Sequence, residues 1–158
     1  MTEKSELPEN MLKYENYREQ NKRLSKALQN EFYLEAVFIE YAIMEDRTES
    51  ILRYEGNEIQ SNRFVSIDRK VKKIKRILEQ EEFLARRYFT VELMDQVLNW
   101  KNRRNGLIHA LIKRSTTTQE LIDLAEEGRQ LTKDLSRLST NYKRAVERKK
   151  KQNTGGKQ

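Results

Sequence analysis

The residues with the greatest chemical potential lie in one short segment, Arg103-Arg104-Asn105-Gly106-Leu107-Ile108-His109, and His109 is the only histidine of the 158-residue chain. An arginine can hold a phosphate through charge-assisted hydrogen bonds. An imidazole can accept or donate a proton close to neutral pH. RNA cleavage through the 2′-hydroxyl needs both groups when no metal takes part. The segment is therefore the candidate catalytic site.

Three residues of the segment, Arg104, Asn105 and His109, suit different roles in such a reaction. Arg104 would bind the scissile phosphate and offset the charge that builds in the transition state, and His109 would act as the acid or base. Asn105 lies four residues before His109, on the same helical face, where it would orient the ring or donate to the phosphate. Arg104 and His109 are about 140° apart around a helix. The two side chains converge only if Arg104 reaches round the helix, or if a partner chain supplies the residue that completes the pair.

The reaction needs one proton removed and another delivered. One chain offers a single imidazole, whereas a two-fold dimer offers two, so the stoichiometry favours a symmetric homodimer.

Composition excludes several other kinds of site. The chain has no cysteine, so it has no disulfide and no thiolate metal ligand. With a single histidine it also lacks the ligands of a structural zinc cluster, and we expect no metal and no cofactor. No apolar run approaches the roughly 20 residues that span a bilayer, and the acidic first ten residues lack the apolar core of a secretory signal. We therefore expect a cytoplasmic protein with no membrane partner.

The net charge of +7 is unevenly distributed. Residues 1–60 carry 8 Lys+Arg and 13 Asp+Glu, a net of −5, whereas residues 61–158 carry 24 and 12, a net of +12. Such asymmetry favours a polyanionic partner such as RNA, a self-complementary assembly, or both. The alternative is a set of solvated, lysine-rich helix faces.

The apolar pattern is helical nearly throughout, and five Gly and one Pro leave few tight turns for a β fold. The sequence predicts an all-α, up-and-down bundle of four to five helices in one domain, 1–148, with a disordered basic tail, 149–158. Whether the first two helices are continuous stays open at Asn30. The predicted helices cover 9–29, 31–54, about 67–87 after an N-cap at Ser66, about 91–113 after Thr90, and a long helix to about 148 after a capping box at Thr117 and Glu120.

The helix over 31–54 has the strongest core pattern. Its apolar residues recur at three- and four-residue spacing, and acidic residues occupy the opposite side. The expected core side includes Leu34, Val37, Phe38, Tyr41 and Met44, and the acidic side carries Glu35, Glu40, Glu45, Asp46 and Glu49.

The most basic helix is the one over about 67–87. Its cations would contact a nucleic-acid backbone or would form a solvated face with their stems along apolar surface. The weaker candidates for nucleic-acid binding are Arg69, Lys72, Lys73, Arg76 and, beside the motif, Arg103.

The segment Arg104-Asn105-Gly106-Leu107-Ile108-His109-Ala110-Leu111, on the fourth predicted helix of a small all-α chain, resembles the signature of the HEPN family. That signature is an Arg, a polar residue that is often Asn, and a His four to six positions after the Arg. The residues themselves resemble the family's over about eight positions, and over about 9–148 the resemblance is limited to the helical architecture.

The resemblance implies a helical bundle that pairs two-fold, so that two copies of the motif form one composite ribonuclease site. Family members occur as toxins, abortive-infection effectors and antiviral effectors, and some have lost catalysis. A nuclease this small, if toxic, should need an antitoxin or another regulatory protein as a partner. Many family members carry an acidic residue on an earlier helix that supports the Arg or His, for which Glu45 and Asp46 are the candidates. A Tyr two positions after the His, present in some toxin members, is replaced here by Leu111.

Three hypotheses follow. The first is a metal-independent endoribonuclease of HEPN type, the second is a catalytically inactive HEPN-like bundle that binds RNA or a protein, and the third is an unrelated helical scaffold or nucleic-acid-binding protein that uses the basic stretch 63–87.

Overall fold

The computed structural model describes residues 8–56, 64–113 and 117–156, and all regular structure in these ranges is helical. This confirms the prediction of an all-α bundle. A short 3₁₀ helix, Leu84–Arg87, joins the third and fourth α-helices. The five α-helices of the described ranges are α1 Glu9–Gln29, α2 Tyr33–Tyr54, α3 Ile67–Leu78, α4 Val91–Ala110 and α5 Thr118–Gly155.

The predicted helix starts are confirmed at three positions. The Ser66 and Thr90 side chains each accept a hydrogen bond from the backbone N–H three residues further on. Thr117 and Glu120 form the reciprocal capping box. These bonds satisfy first-turn donors that have no partner inside the helix, which is why the starts are readable from local sequence.

The helix ends differ from the predictions. Glu31 has a φ of 60°, a left-handed conformation that separates α1 from α2. Helix α3 ends at Leu78 because the acidic run 79–82 follows it, and negative charge at a helix C-terminus opposes the helix dipole. Helix α5 continues through residues 149–155, which the sequence predicts to be disordered. Those residues include good helix formers and no glycine before Gly155.

Helix α2 is the centre of the bundle and packs against α1, α3, α4 and α5. The predicted division of α2 into a buried apolar side and an acidic opposite side is wrong at several residues. Glu40, placed on the acidic side, has no exposed surface, whereas Phe38, placed in the core, is 50% exposed. A periodic stripe describes a helix with one buried face. Helix α2 has neighbours on more than one side, so burial does not follow its stripe.

The apolar seam of α5 packs inside the chain. Leu124, Gly128, Leu131, Leu135 and Tyr142 are all buried. Trp100 of α4 is fully buried against this seam and donates its indole N–H to the Leu124 carbonyl oxygen at 2.8 Å. The seam therefore holds α4 and α2 to α5.

Replacing Gly128 by Ala should destabilise the bundle. The added carbon would lie 2.8 Å from Trp100 Cζ2 and would overlap the Glu40 carboxyl. Overpacking of this kind costs about 1–3 kcal/mol, which outweighs the gain of up to about 1 kcal/mol from replacing a helical glycine. Thermal unfolding should show a midpoint several degrees lower.

Gly106→Ala is the matched control, because nothing lies within 4 Å of its added carbon. It should leave the unfolding temperature unchanged or raise it. An equal increase for both variants would contradict the close packing at Gly128.

Candidate active site

The motif lies on the C-terminal half of α4. Arg104 and Asn105 are half-buried and His109 is exposed. The guanidinium of Arg104 is therefore partly shielded from water, whereas the imidazole of His109 is open to solvent.

Arg104 is held by two aromatic rings of α2. Its guanidinium carbon lies 4.4 Å from the Tyr41 ring centroid and 4.9 Å from the Phe38 centroid. Both distances are within the range of cation–π attraction. The rings are three residues apart and share a helix face. Together they hold the guanidinium plane at the surface of α2.

The hydrogen-bond donors of Arg104 are only partly used. Nη1 donates to Asn105 Oδ1 at 2.8 Å, and the buried Nε has no hydrogen-bond partner among the residues that the structure describes. Burial lowers the pKa of Arg104, and Tyr41 opposes that shift, but a guanidinium stays protonated in proteins. A positioned cation with unused donors is suited to an anionic ligand.

Asn105 has a different partner from the one expected. Because arginine has no acceptor, the Asn105 oxygen must face Arg104. The amide nitrogen is then the end left for a phosphate. The imidazole of His109 makes no hydrogen bond within the described ranges, so in one chain Asn105 positions the arginine and leaves the ring unrestrained.

Neither candidate supporting acid contacts the motif within the described chain. Glu45 lies 3.6 Å from the buried Lys70 ammonium. Asp46 binds Lys13 at 2.9 Å and Arg47 at 2.7 Å, and these hydrogen bonds and charges lower its pKa although burial opposes them. Both carboxylates therefore neutralise other cations.

The weaker nucleic-acid candidates are distributed over two helices. Arg103 is paired with Glu127 and donates to Asn99 at 2.9 Å, so its charge is already matched. The four candidates of α3 are exposed and form no salt bridge with a described residue; they are Arg69, Lys72, Lys73 and Arg76.

Exposed apolar side chains flank the motif on both helices, and we call them the α2/α4 patch: Leu34 and Phe38 of α2, and Leu111 and Ile112 just after α4. Ile112 is 99% exposed, and Phe38 contacts Arg104. The sequence places Leu34 and Phe38 on the core side of the helix over 31–54, so periodicity alone misses the patch. Large exposed apolar side chains on both sides of the motif are candidates for an interaction surface.

The chain matches no protein-family model, and no curated protein and no solved structure matches it.

The described ranges contain no group of three or more His, Asp or Glu side chains placed to hold a metal ion. None of their helices combines the length and the apolar character needed to span a bilayer.

Proposed function

We propose that this protein is a metal-independent endoribonuclease that acts as a two-fold homodimer. The observation that carries the proposal is the placement of Arg104, which two aromatic rings hold with unused donors on the helix that presents His109 to solvent. The HEPN-like motif supports the same function, and it suggests a toxin or antiviral role with an antitoxin or another protein as restraint.

The chemistry uses one imidazole from each subunit. One His109 takes the proton from the 2′-hydroxyl, whose oxygen attacks the adjacent phosphorus. The bond from phosphorus to the 5′-oxygen breaks, and the second His109 delivers a proton to that leaving oxygen. Arg104 binds the non-bridging oxygens as charge accumulates on them. The products are a 2′,3′-cyclic phosphate and a 5′-hydroxyl.

The exposed α2/α4 patch is an argument that the partner at this site is a second copy of the chain. A two-fold interface uses the same surface of both subunits, so a patch beside the motif would bring two motifs together. Burying apolar side chains such as Phe38 and Ile112 would supply the driving force.

The test couples the oligomeric state to RNA cleavage in EDTA. The wild-type protein should be a dimer and should cut RNA, but not DNA of the same sequence, because DNA lacks the 2′-hydroxyl. Ile112→Lys should raise the dimer dissociation constant at least about tenfold, since it removes an apolar contact of about 1.5–3 kcal/mol, and cleavage should fall with the dimer. Sedimentation equilibrium and product analysis measure both.

Phe64→Lys is the control, because Phe64 is equally large and 84% exposed but lies outside the patch. It should change neither the dimer nor cleavage. Cleavage by a protein that remains monomeric at all concentrations would contradict the composite site.

The second candidate function is a catalytically inactive bundle that binds RNA or a protein. The observation that favours it is that His109 has no hydrogen-bond partner in the described chain, whereas a catalytic imidazole usually has one that orients it. A wild-type protein that binds RNA with steep salt dependence but never cuts it would support this candidate.

A further inference from the structure

A broad groove lies on a part of the molecule that the motif does not reach. It opens between α1 and α5, over the C-terminal half of α2, with a volume of about 1580 Å³. None of its described lining residues belongs to α3 or α4. It is therefore separate from Arg104 and His109 and from the basic face of α3.

The groove is strongly basic. Among the described residues, ten lysines and arginines line it, against a single acidic residue, Glu9. Three of the ten are paired with carboxylates, namely Lys13, Arg47 and Arg53. The other seven form no salt bridge within the described ranges. Such a concentration of unmatched positive charge in a concave surface attracts a polyanion.

The free cations lie on both walls. On α1, Arg18, Lys22 and Lys26 follow one another at four-residue spacing, which places them in a row with a rise of about 6 Å between neighbours. On α5, Arg129 and Lys133 repeat that spacing on the opposite wall. A chain of phosphates lying along the groove would meet cations from both sides.

We propose that this groove binds the sugar–phosphate backbone of single-stranded nucleic acid. Tyr14, on the α1 wall and 69% exposed, offers a face on which a base can stack. An acidic amphipathic helix fits less well, because such a helix needs an apolar floor and Leu24 is the only aliphatic hydrophobic residue of the described lining. The binding does not depend on cleavage by the motif.

The test measures binding of the full-length protein to a 2′-O-methyl oligonucleotide of about 16 nucleotides, which cannot be cleaved through its 2′-oxygen. Fluorescence anisotropy is recorded over a range of salt concentrations. The variant Lys22→Ala/Lys26→Ala/Lys133→Ala should bind at least tenfold more weakly at moderate salt. Its slope of log affinity against log salt should be lower by about 2, since each lost phosphate contact removes about 0.7.

The matched control is Arg69→Ala/Lys72→Ala/Lys73→Ala, which removes the same charge from the exposed face of α3. It should retain most of the wild-type slope, and the helical circular dichroism of both variants should equal that of the wild type. Equal losses in the two variants, or an unchanged slope in the groove variant, would overturn the proposal.

Two further measurements separate nucleic acid from an acidic protein. Tyr14→Ala should weaken oligonucleotide binding about tenfold, as expected for the loss of a stacking platform. Polyglutamate of equal charge should compete poorly with the oligonucleotide. Polyglutamate binding as tight as the oligonucleotide, with no effect of Tyr14→Ala, would identify an acidic protein segment as the ligand instead.

Discussion

His109→Ala should cleave RNA about 10²–10⁴-fold more slowly than the wild type, the range expected when a general acid or base is removed. The assay is carried out in EDTA with a single labelled RNA at saturating protein. The side chain is exposed and makes no hydrogen bond within the described chain, so its removal should leave the fold and the dimer unchanged. Unaltered cleavage by a folded, dimeric His109→Ala protein would exclude the mechanism.

The neighbouring arginines provide an internal control for the same assay. Arg104 is stacked on Tyr41 and Phe38 with an unpaired Nε, whereas Arg103 is bound to Glu127. Arg104→Ala should lower the cleavage rate about 10²–10³-fold, because it removes a donor to the transition state. Arg103→Ala should stay within a few-fold of the wild type. Equal effects of the two substitutions would indicate only a loss of positive charge.

Glu40→Gln should remove a pH-dependent loss of stability that in the wild type reaches about 3 kcal/mol by pH 7. Glu40 is fully buried and neither carboxyl oxygen has a hydrogen-bond partner among the described residues. Burial raises its pKa to about 9, and the positive charge of Arg129 opposes this shift only in part. The folded chain therefore holds a proton at neutral pH that the unfolded chain releases.

The sign of the pH dependence follows from that proton. Between pH about 4.5, where the unfolded side chain titrates, and about 9, the folded state binds more protons than the unfolded state. Wild-type stability should therefore fall as the pH rises through this window, and the glutamine variant should lack this decrease. Urea unfolding at pH 5 and pH 8 measures the free energy of unfolding of the wild type and of the Glu40→Gln variant. All other titrating groups cancel in the difference between the two proteins.

Glu35→Gln is the control for this effect, since Glu35 is an exposed carboxylate on the same helix. It should change stability little and should keep the wild-type pH dependence. A Glu40→Gln protein whose stability follows the wild type at both pH values would show that Glu40 is ionised in the folded state.

Local chemistry accounts for what could be predicted from the sequence. The helix starts at Ser66, Thr90 and Thr117 depend on bonds within four residues, and the helical class follows from apolar spacing and the scarcity of Gly and Pro. The grouping of Arg104, Asn105 and His109 on one helix is likewise a property of spacing alone.

The sequence by itself determined the helices, their first turns and the residues available for chemistry, because each depends on neighbours along the chain. Only the tertiary structure decided that Glu40 is buried, that Phe38 is exposed beside Arg104, and that cations of α1 and α5 face one groove. These outcomes depend on which helices surround α2. Burial is a property of the space between elements, and a periodic pattern specifies a helix face without specifying what covers it.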